Sequence, residues 1–213
     1  MDSTIFIVGV GPGLGESLAK IFRDANYKVG LIARSQEKLS VISQRLGNEN
    51  VSYSACDCTD VDAFKFSLSS LCNDLGPPTV AIYNAASLTM DNAIQVSPHE
   101  FLKRMDVNVV SALNFVQTMI TLFPNTVTPN HIFFTGGILA HTPSKDFFTL
   151  SLGKQSLFTL FKLLQSDLNS LNVLITYFTI STLIGSNGTP PDLIAAQFLN
   201  AVISRQDGEI IYP

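Results

Sequence analysis

The sequence predicts an α/β fold: a doubly wound, mostly parallel sheet of seven strands with helices on both faces. Three observations carry that expectation. Short β-branched runs alternate with longer stretches of helical periodicity along the whole chain. Several of the runs, Ile5–Gly9 among them, are continuously apolar, as strands covered on both faces require. Strand–helix alternation of this kind also implies right-handed crossovers, and therefore parallel neighbours.

The elements follow in order. Ile5–Gly9 reads as a strand and Gly13–Asp24 as a helix. Lys28–Ala33 is a strand, and Gln36–Leu46 a helix with Leu39, Ile42 and Leu46 on one face. Val51–Ala55 is a strand, and the helix from Asp60 to Leu71 takes Thr59 or Asp60 as its N-cap. Thr79–Tyr83 is a strand after the Gly76-Pro77-Pro78 breaker, and Pro98–Phe123 a long helix. His131–Thr135 is a strand, and a second long helix lies within Ser144–Leu171. Val173–Phe178, Pro191–Ser204 and Glu209–Tyr212 complete the chain as strand, helix and strand. With no repeat or linker, residues 1–213 are expected to form one domain.

Composition sharpens the exclusions. Only 14% of residues are charged, against about 25% in an average domain, and the mean hydropathy is +0.29. Two stretches, Val107–Ser144 and Leu168–Pro191, hold no formal charge. Neither reads as a membrane span, because Asn, Ser, Thr and Pro interrupt both. A net charge of -4 argues against a nucleic-acid partner. The odd count of three cysteines suits a reducing compartment, and Cys56 and Cys58 alternate across a strand end, a poor arrangement for metal ligands. The N-terminus lacks the basic start of a secretion signal. A cytoplasmic protein without a metal centre is expected.

The first strand runs into Gly9-Val10-Gly11-Pro12-Gly13-Leu14-Gly15 and then a helix. Such a loop presents backbone N–H groups at a helix N-terminus, where the dipole favours a pyrophosphate. The G-x-G-x-x-G spacing fails, since Leu14 follows Gly11 by three, and no Gly-Lys-Ser/Thr is present. What fits is G-x-x-x-G-x-G on Gly9, Gly13 and Gly15, a dinucleotide site in a Rossmann-type sheet. After the second strand, Ala33 and Arg34 stand where an NAD site would carry an acid. A guanidinium suits a 2′-phosphate, so NADP (NADPH) is preferred over NAD.

That glycine spacing resembles the short-chain dehydrogenase/reductase family, and the resemblance runs from residue 5 to about 180. It implies that Gly9, Pro12, Gly13, Leu14, Gly15 and Arg34 hold the cofactor, and that Asp57 in Cys56-Asp57-Cys58 contacts the adenine. It implies that Asn84-Ala85-Ala86 lies beside the cofactor at the end of the fourth strand. Asn108 matches the family's helix asparagine that bridges a water to a catalytic lysine, and Lys154 matches that lysine, which also holds the nicotinamide ribose.

The family's reaction needs a tyrosine four residues before the lysine, on the same helix face. The segment here is Phe148-Thr149-Leu150-Ser151-Leu152-Gly153-Lys154, so the tyrosine position is Leu150. The serine position falls on Gly137 in Phe134-Thr135-Gly136-Gly137. Leucine carries no proton, and losing a positioned acid or base costs about 10²–10⁴-fold. Ser151, Thr135 and His141 are substitutes, with His141 first because its pKa suits. Nothing in the spacing aims Tyr83 or Tyr177 at the site.

After the sixth strand the family's Pro-Gly is replaced by Thr179-Ile180, and only Ser181–Pro190 remains to cover a substrate. Either a small substrate, or one held by a partner, is expected, or enclosure is not needed. The helices at 98–123 and 148–168 carry more apolar positions than one face needs, and in the family they form the subunit contact. A homodimer or homotetramer is therefore expected. Two functions stay open: an NADP-dependent oxidoreductase with an atypical site, acting on a small carbonyl or alcohol, or a non-catalytic NADP-binding protein, a sensor or the silent partner of an active homologue.

Overall fold

The computed structural model describes residues 3–47, 49–185 and 187–213. Met1 and Asp2, the head of the segment read as lacking a secretion signal, lie outside the described residues, as do Asn48 and, within the short cover, Ser186. Seven strands make one sheet: β1 (Thr4–Val8), β2 (Lys28–Ala33), β3 (Val51–Ala55), β4 (Val80–Tyr83), β5 (Asn130–Thr135), β6 (Val173–Ile180) and β7 (Gly208–Tyr212). Their order is β3-β2-β1-β4-β5-β6-β7, and every neighbouring pair is parallel. Where the order reverses, between β1 and β4, the connections leave to opposite sides and open a crevice at the carboxyl edge.

The helices cover both faces. On one lie α1 (Leu14–Asp24), α2 (Gln36–Leu46) and α7 (Pro191–Ile203), packed on Ile5, Ile7, Val29, Leu31 and Phe133. On the other lie α3 (Val61–Leu75), α4 (Pro98–Met105), α5 (Ser111–Leu122) and α6 (Phe148–Ser170), and a core of Phe6, Tyr83, Phe115, Phe134, Phe161 and Tyr177 fills the space beneath α3, α5 and α6. Alternate residues of one strand thus enter two cores, which is why the strands read as unbroken apolar runs. Among the described residues no helix is long and apolar enough to cross a membrane. The low charge content accords with this double burial.

Three elements depart from the sequence reading. The helix expected over Pro98–Phe123 is divided by a π-helical turn, Asp106–Val110, and ends at Leu122. The wider turn frees the Val107 carbonyl, which accepts the Tyr83 hydroxyl at 2.6 Å, and buries Asn108 against the sheet edge. α3 runs one turn past Leu71 to Leu75, where Gly76 at φ 89 ends it. β6 continues through Ile180, since no proline removes its N–H donors, and Thr179 and Ile180 pair with Ile211 and Tyr212.

Candidate functional site

The crevice is floored by the glycine loop. Gly9, at φ 89, passes so near β4 that a Cβ would stand 2.4 Å from the Ala85 nitrogen. The Asn84 side chain donates to the Gly9 carbonyl at 2.9 Å, so the loop and the end of β4 are one rigid unit. Gly13, at φ 110, takes the N-cap position of α1, and neither it nor Gly11 has an atom within 4 Å of where a Cβ would be. Above these two glycines lies open space facing the helix N-terminus, the shape and polarity that a pyrophosphate requires. Glu16, the carboxylate in the first turn of α1, pairs with Arg45 at 2.8 Å, which offsets its repulsion of an anion.

Arg34 stands exposed just past β2, beside Ser35, whose hydroxyl caps α2 by accepting from the Lys38 amide. Asp57 is exposed past β3 and accepts from the amide and hydroxyl of Thr59 at 3.0 and 2.9 Å. Pro12 and Leu14 belong to the loop, and Ala85 and Ala86 follow β4. Apart from Lys154, the positions expected at the cofactor therefore sit past the carboxyl ends of β1 to β4.

Lys154 lies deeper, on the second turn of α6. Its side chain is buried, and Nζ donates to the Thr135 carbonyl at 2.6 Å. Burial disfavours the ammonium and lowers its pKa to about 8. Asn108 faces the same region: its Oδ1 accepts from the Ser87 amide at 2.8 Å, while its Nδ2 has no partner. Thr135 Oγ1 is likewise buried and unpartnered. Two orphaned polar atoms beside a buried lysine are what a site awaiting a polar ligand or ordered water leaves behind.

The remaining candidates are placed as follows. Leu150 is buried on α6, one turn before Lys154. Gly137 is extended, and a Cβ there would meet only the Ile180 carbonyl, at 3.8 Å. Ser151 is turned toward Ser144, whose amide its hydroxyl accepts at 3.1 Å. His141 is bound through Nε2 to Glu209 at 2.6 Å and packs edge-on against Phe158. Tyr83 and Tyr177 are fully buried, and Tyr177 donates to the Lys154 backbone carbonyl at 3.0 Å.

One arrangement was not legible beforehand. The end residue Phe147 gives α6 no side-chain cap. Asp91, from the loop after β4, supplies it: the Asp91 carbonyl accepts the Phe148 amide, and its carboxylate accepts the Thr149 amide at 3.0 Å and the Thr149 hydroxyl. Arg104 holds the second carboxylate oxygen at 2.8 Å. Burial pushes the Asp91 pKa up, but the Thr149 hydrogen bonds and Arg104 outweigh it and hold the group below its usual value. A cap contributed 58 residues away in the chain leaves no spacing to read.

A protein-family model described as short chain dehydrogenase matches residues 3–183. The chain is 28% identical, over 112 residues, to an uncharacterised oxidoreductase of Staphylococcus saprophyticus, covering 53% of this chain and 46% of that protein. It is 29% identical, over 121 residues, to the NADPH-dependent pterin aldehyde reductase of Arabidopsis thaliana, covering 56% and 50%. The matches thus span about half the length of these curated relatives. The 3-ketoacyl-(acyl-carrier-protein) reductase of Brucella melitensis, solved with NADH, superimposes with a TM-score of 0.89 at 16% identity, over 98% of this chain and 96% of that one. That likeness shows the fold.

Proposed function

This chain belongs to the short chain dehydrogenase family, and on that premise we propose that it is an NADP-dependent oxidoreductase for a small carbonyl or alcohol, with an atypical reaction site. The observation that carries the proposal is the buried Lys154 ammonium at the carboxyl edge, held by the Thr135 carbonyl at 2.6 Å and neighboured by unpartnered polar atoms. Dehydrating an amine costs stability, and a functional role accounts for keeping one there.

The residues fit the cofactor. The open space over Gly11 and Gly13 receives the pyrophosphate, with Gly9, Pro12, Leu14 and Gly15 shaping the loop. Arg34 takes the 2′-phosphate, Asp57 the adenine, Asn84-Ala85-Ala86 the flank, and Lys154 the nicotinamide ribose. The NADPH-dependent pterin aldehyde reductase supports this preference, and the exposed Arg34 supports it more directly. A bound nicotinamide supplies or accepts the hydride at the substrate carbon.

The proton is this chain's own task. Leu150 has none to give, Ser151 is turned to Ser144, and His141 is held by Glu209. We place the proton on Lys154 Nζ: with a pKa lowered to about 8 it is charged at neutral pH yet acidic enough to protonate a developing alkoxide. Asn108 and Thr135 Oγ1 are the polar groups left to orient substrate or water beside it.

The exposed Leu102, Val110, Leu113, Ile120 and Leu163, on α4, α5, α6 and the π turn, support a homodimer or homotetramer through 98–123 and 148–168. Three free thiols support a reducing, cytoplasmic setting. The second reading, an NADP-binding protein without turnover, draws its support from the buried Leu150. NADPH fluorescence titration followed by a panel of small aldehydes, ketones and diketones tests both. Binding with turnover supports the oxidoreductase, binding without turnover the sensor, and no binding removes both.

A further inference from the structure

The mouth of the crevice is rimmed by loops that carry few charges. Residues 84–97 follow β4, 136–147 follow β5 and 181–190 follow β6, so three adjacent parallel strands deliver all three to one edge. Across 84–97, 136–144 and 181–190 the one Asp, Glu, Lys or Arg is Asp91, and Arg104 neutralises it at 2.8 Å. Lys145 and Asp146, adjacent and of opposite sign, come only where the middle loop turns into α6.

The same loops hold large apolar side chains in the open. Leu88, Met90 and Leu183 are 68%, 64% and 74% exposed, and Ile138 and Ile184 are exposed to a lesser degree. Single exposed apolar residues are ordinary, but these share one edge and adjoin the reaction site. Leu88 follows Ser87, whose amide Asn108 holds at 2.8 Å. Ile138 follows Gly137, where a Cβ would meet only the Ile180 carbonyl, at 3.8 Å. Leu183 lies three residues past that same Ile180.

We infer that this mouth takes an uncharged carbonyl or alcohol whose substituents are apolar, alkyl or aryl, and disfavours compounds bearing a carboxylate or phosphate beside the reacting carbon. The inference rests on the reaction site being the one proposed above. Among the described residues the cations nearest the reaction site are committed: Lys154 is buried on the Thr135 carbonyl, Arg104 is taken by Asp91, and His141 by Glu209, while the exposed Lys145 stands at the far end of the middle loop, next to Asp146. An anion entering would lose hydration without gaining a partner, whereas an alkyl group would cover side chains that water now meets.

The test is calorimetric titration of 2-butanone, 2-hexanone and 2-octanone, and of the 2-oxo acids of matching length. It is run with and without saturating NADP⁺, which cannot reduce a ketone. The expected result is affinity rising about two- to fourfold per methylene in the ketone series, with each 2-oxo acid binding at least tenfold more weakly. Leu183→Ser and Met90→Ser are each expected to flatten that dependence. A flat series, or 2-oxo acids that bind as well as the ketones, overturns the inference. So does a wild-type dependence that both variants leave unchanged while shifting the sedimenting mass, because the rim is then a contact between copies of this chain. Absence of NADP⁺ binding defeats the proposed function, and the ketone series without cofactor still decides the rim.

Discussion

Gly153 stands against Asn108: a methyl group on its α-carbon would lie 2.8 Å from both the Cβ and the Nδ2 of the asparagine. The helix carrying Lys154 and the π turn carrying Asn108 thus touch at a glycine, one residue before the lysine. In an ordinary helix interior Gly→Ala stabilises by about 1 kcal/mol. Here Gly153→Ala is expected to destabilise by about 1–3 kcal/mol through overpacking, read by urea unfolding, and to weaken NADPH binding by loosening the Asn108–Ser87 contact. A more stable variant would show that the two elements part easily.

Arg34 sets the cofactor preference if it meets the 2′-phosphate. A hydrogen bond to a charged group contributes about 1.5–3 kcal/mol, so Arg34→Asp should move the NADPH/NADH affinity ratio toward NADH by well over tenfold. An unchanged ratio in parallel fluorescence titrations removes Arg34 from the site. Since the side chain is exposed beyond β2, unfolding midpoints should not move.

Leu150→Tyr combined with Gly137→Ser should raise NADPH oxidation with a small aldehyde or diketone by about 10²-fold or more. The serine has room, as the nearest atom to its Cβ is 3.8 Å away. The tyrosine must turn out of a buried position, so Gly137→Ser alone should be stable and Leu150→Tyr alone less so. Wild-type turnover equal to the double variant would mean that Lys154 already delivers the proton efficiently.

The lowered pKa of Lys154 has two pH signatures. If its ammonium is the proton donor, reduction of a carbonyl should fall as pH rises through about 8, measured as kcat against pH. Its stability effect has the opposite sense, because the unfolded chain holds this proton up to its ordinary 10.5. The cost of burying the charge is full below pH 8 and fades between 8 and 10.5, so stability rises across that window. Lys154→Met should therefore stabilise the protein at pH 7, by about 3 kcal/mol at most, less the lost Thr135 hydrogen bond, and should gain nothing at pH 10.5. A variant equally stabilised at both would refute the assigned cause.

Asp91 ties α6 to the loop after β4. Asp91→Ala uncaps the helix and leaves the half-buried Arg104 with only its 3.6 Å contact to Glu100, an expected loss of about 2–3 kcal/mol by urea unfolding. Asp91→Asn, which can still accept from Thr149, should lose less. Because the folded-state pKa is depressed, the wild-type advantage over Asp91→Asn is present above the ordinary carboxylate pKa of 3.8 and vanishes as pH falls through the folded value. An advantage persisting at lower pH would assign the effect to packing.

The order of elements, the parallel sheet and the glycine loop were legible in the sequence, because periodicity, turn residues and a strand–glycine–helix junction are local. Lys28–Ala33, Gln36–Leu46 and Val51–Ala55 could be bounded to the residue on that basis. The sequence also determined that leucine and glycine occupy Leu150 and Gly137, a matter of identity and not of conformation. Tertiary structure alone decided the rest. The Tyr83 hydroxyl on the Val107 carbonyl accompanies a π turn within what reads as one helix, and Asp91 caps α6 from another loop. His141 was committed to Glu209, and Lys154 to a carbonyl away from water. Each of these joins residues far apart in the chain through hydrogen bonds whose worth depends on burial, and burial is a property of the packed sheet.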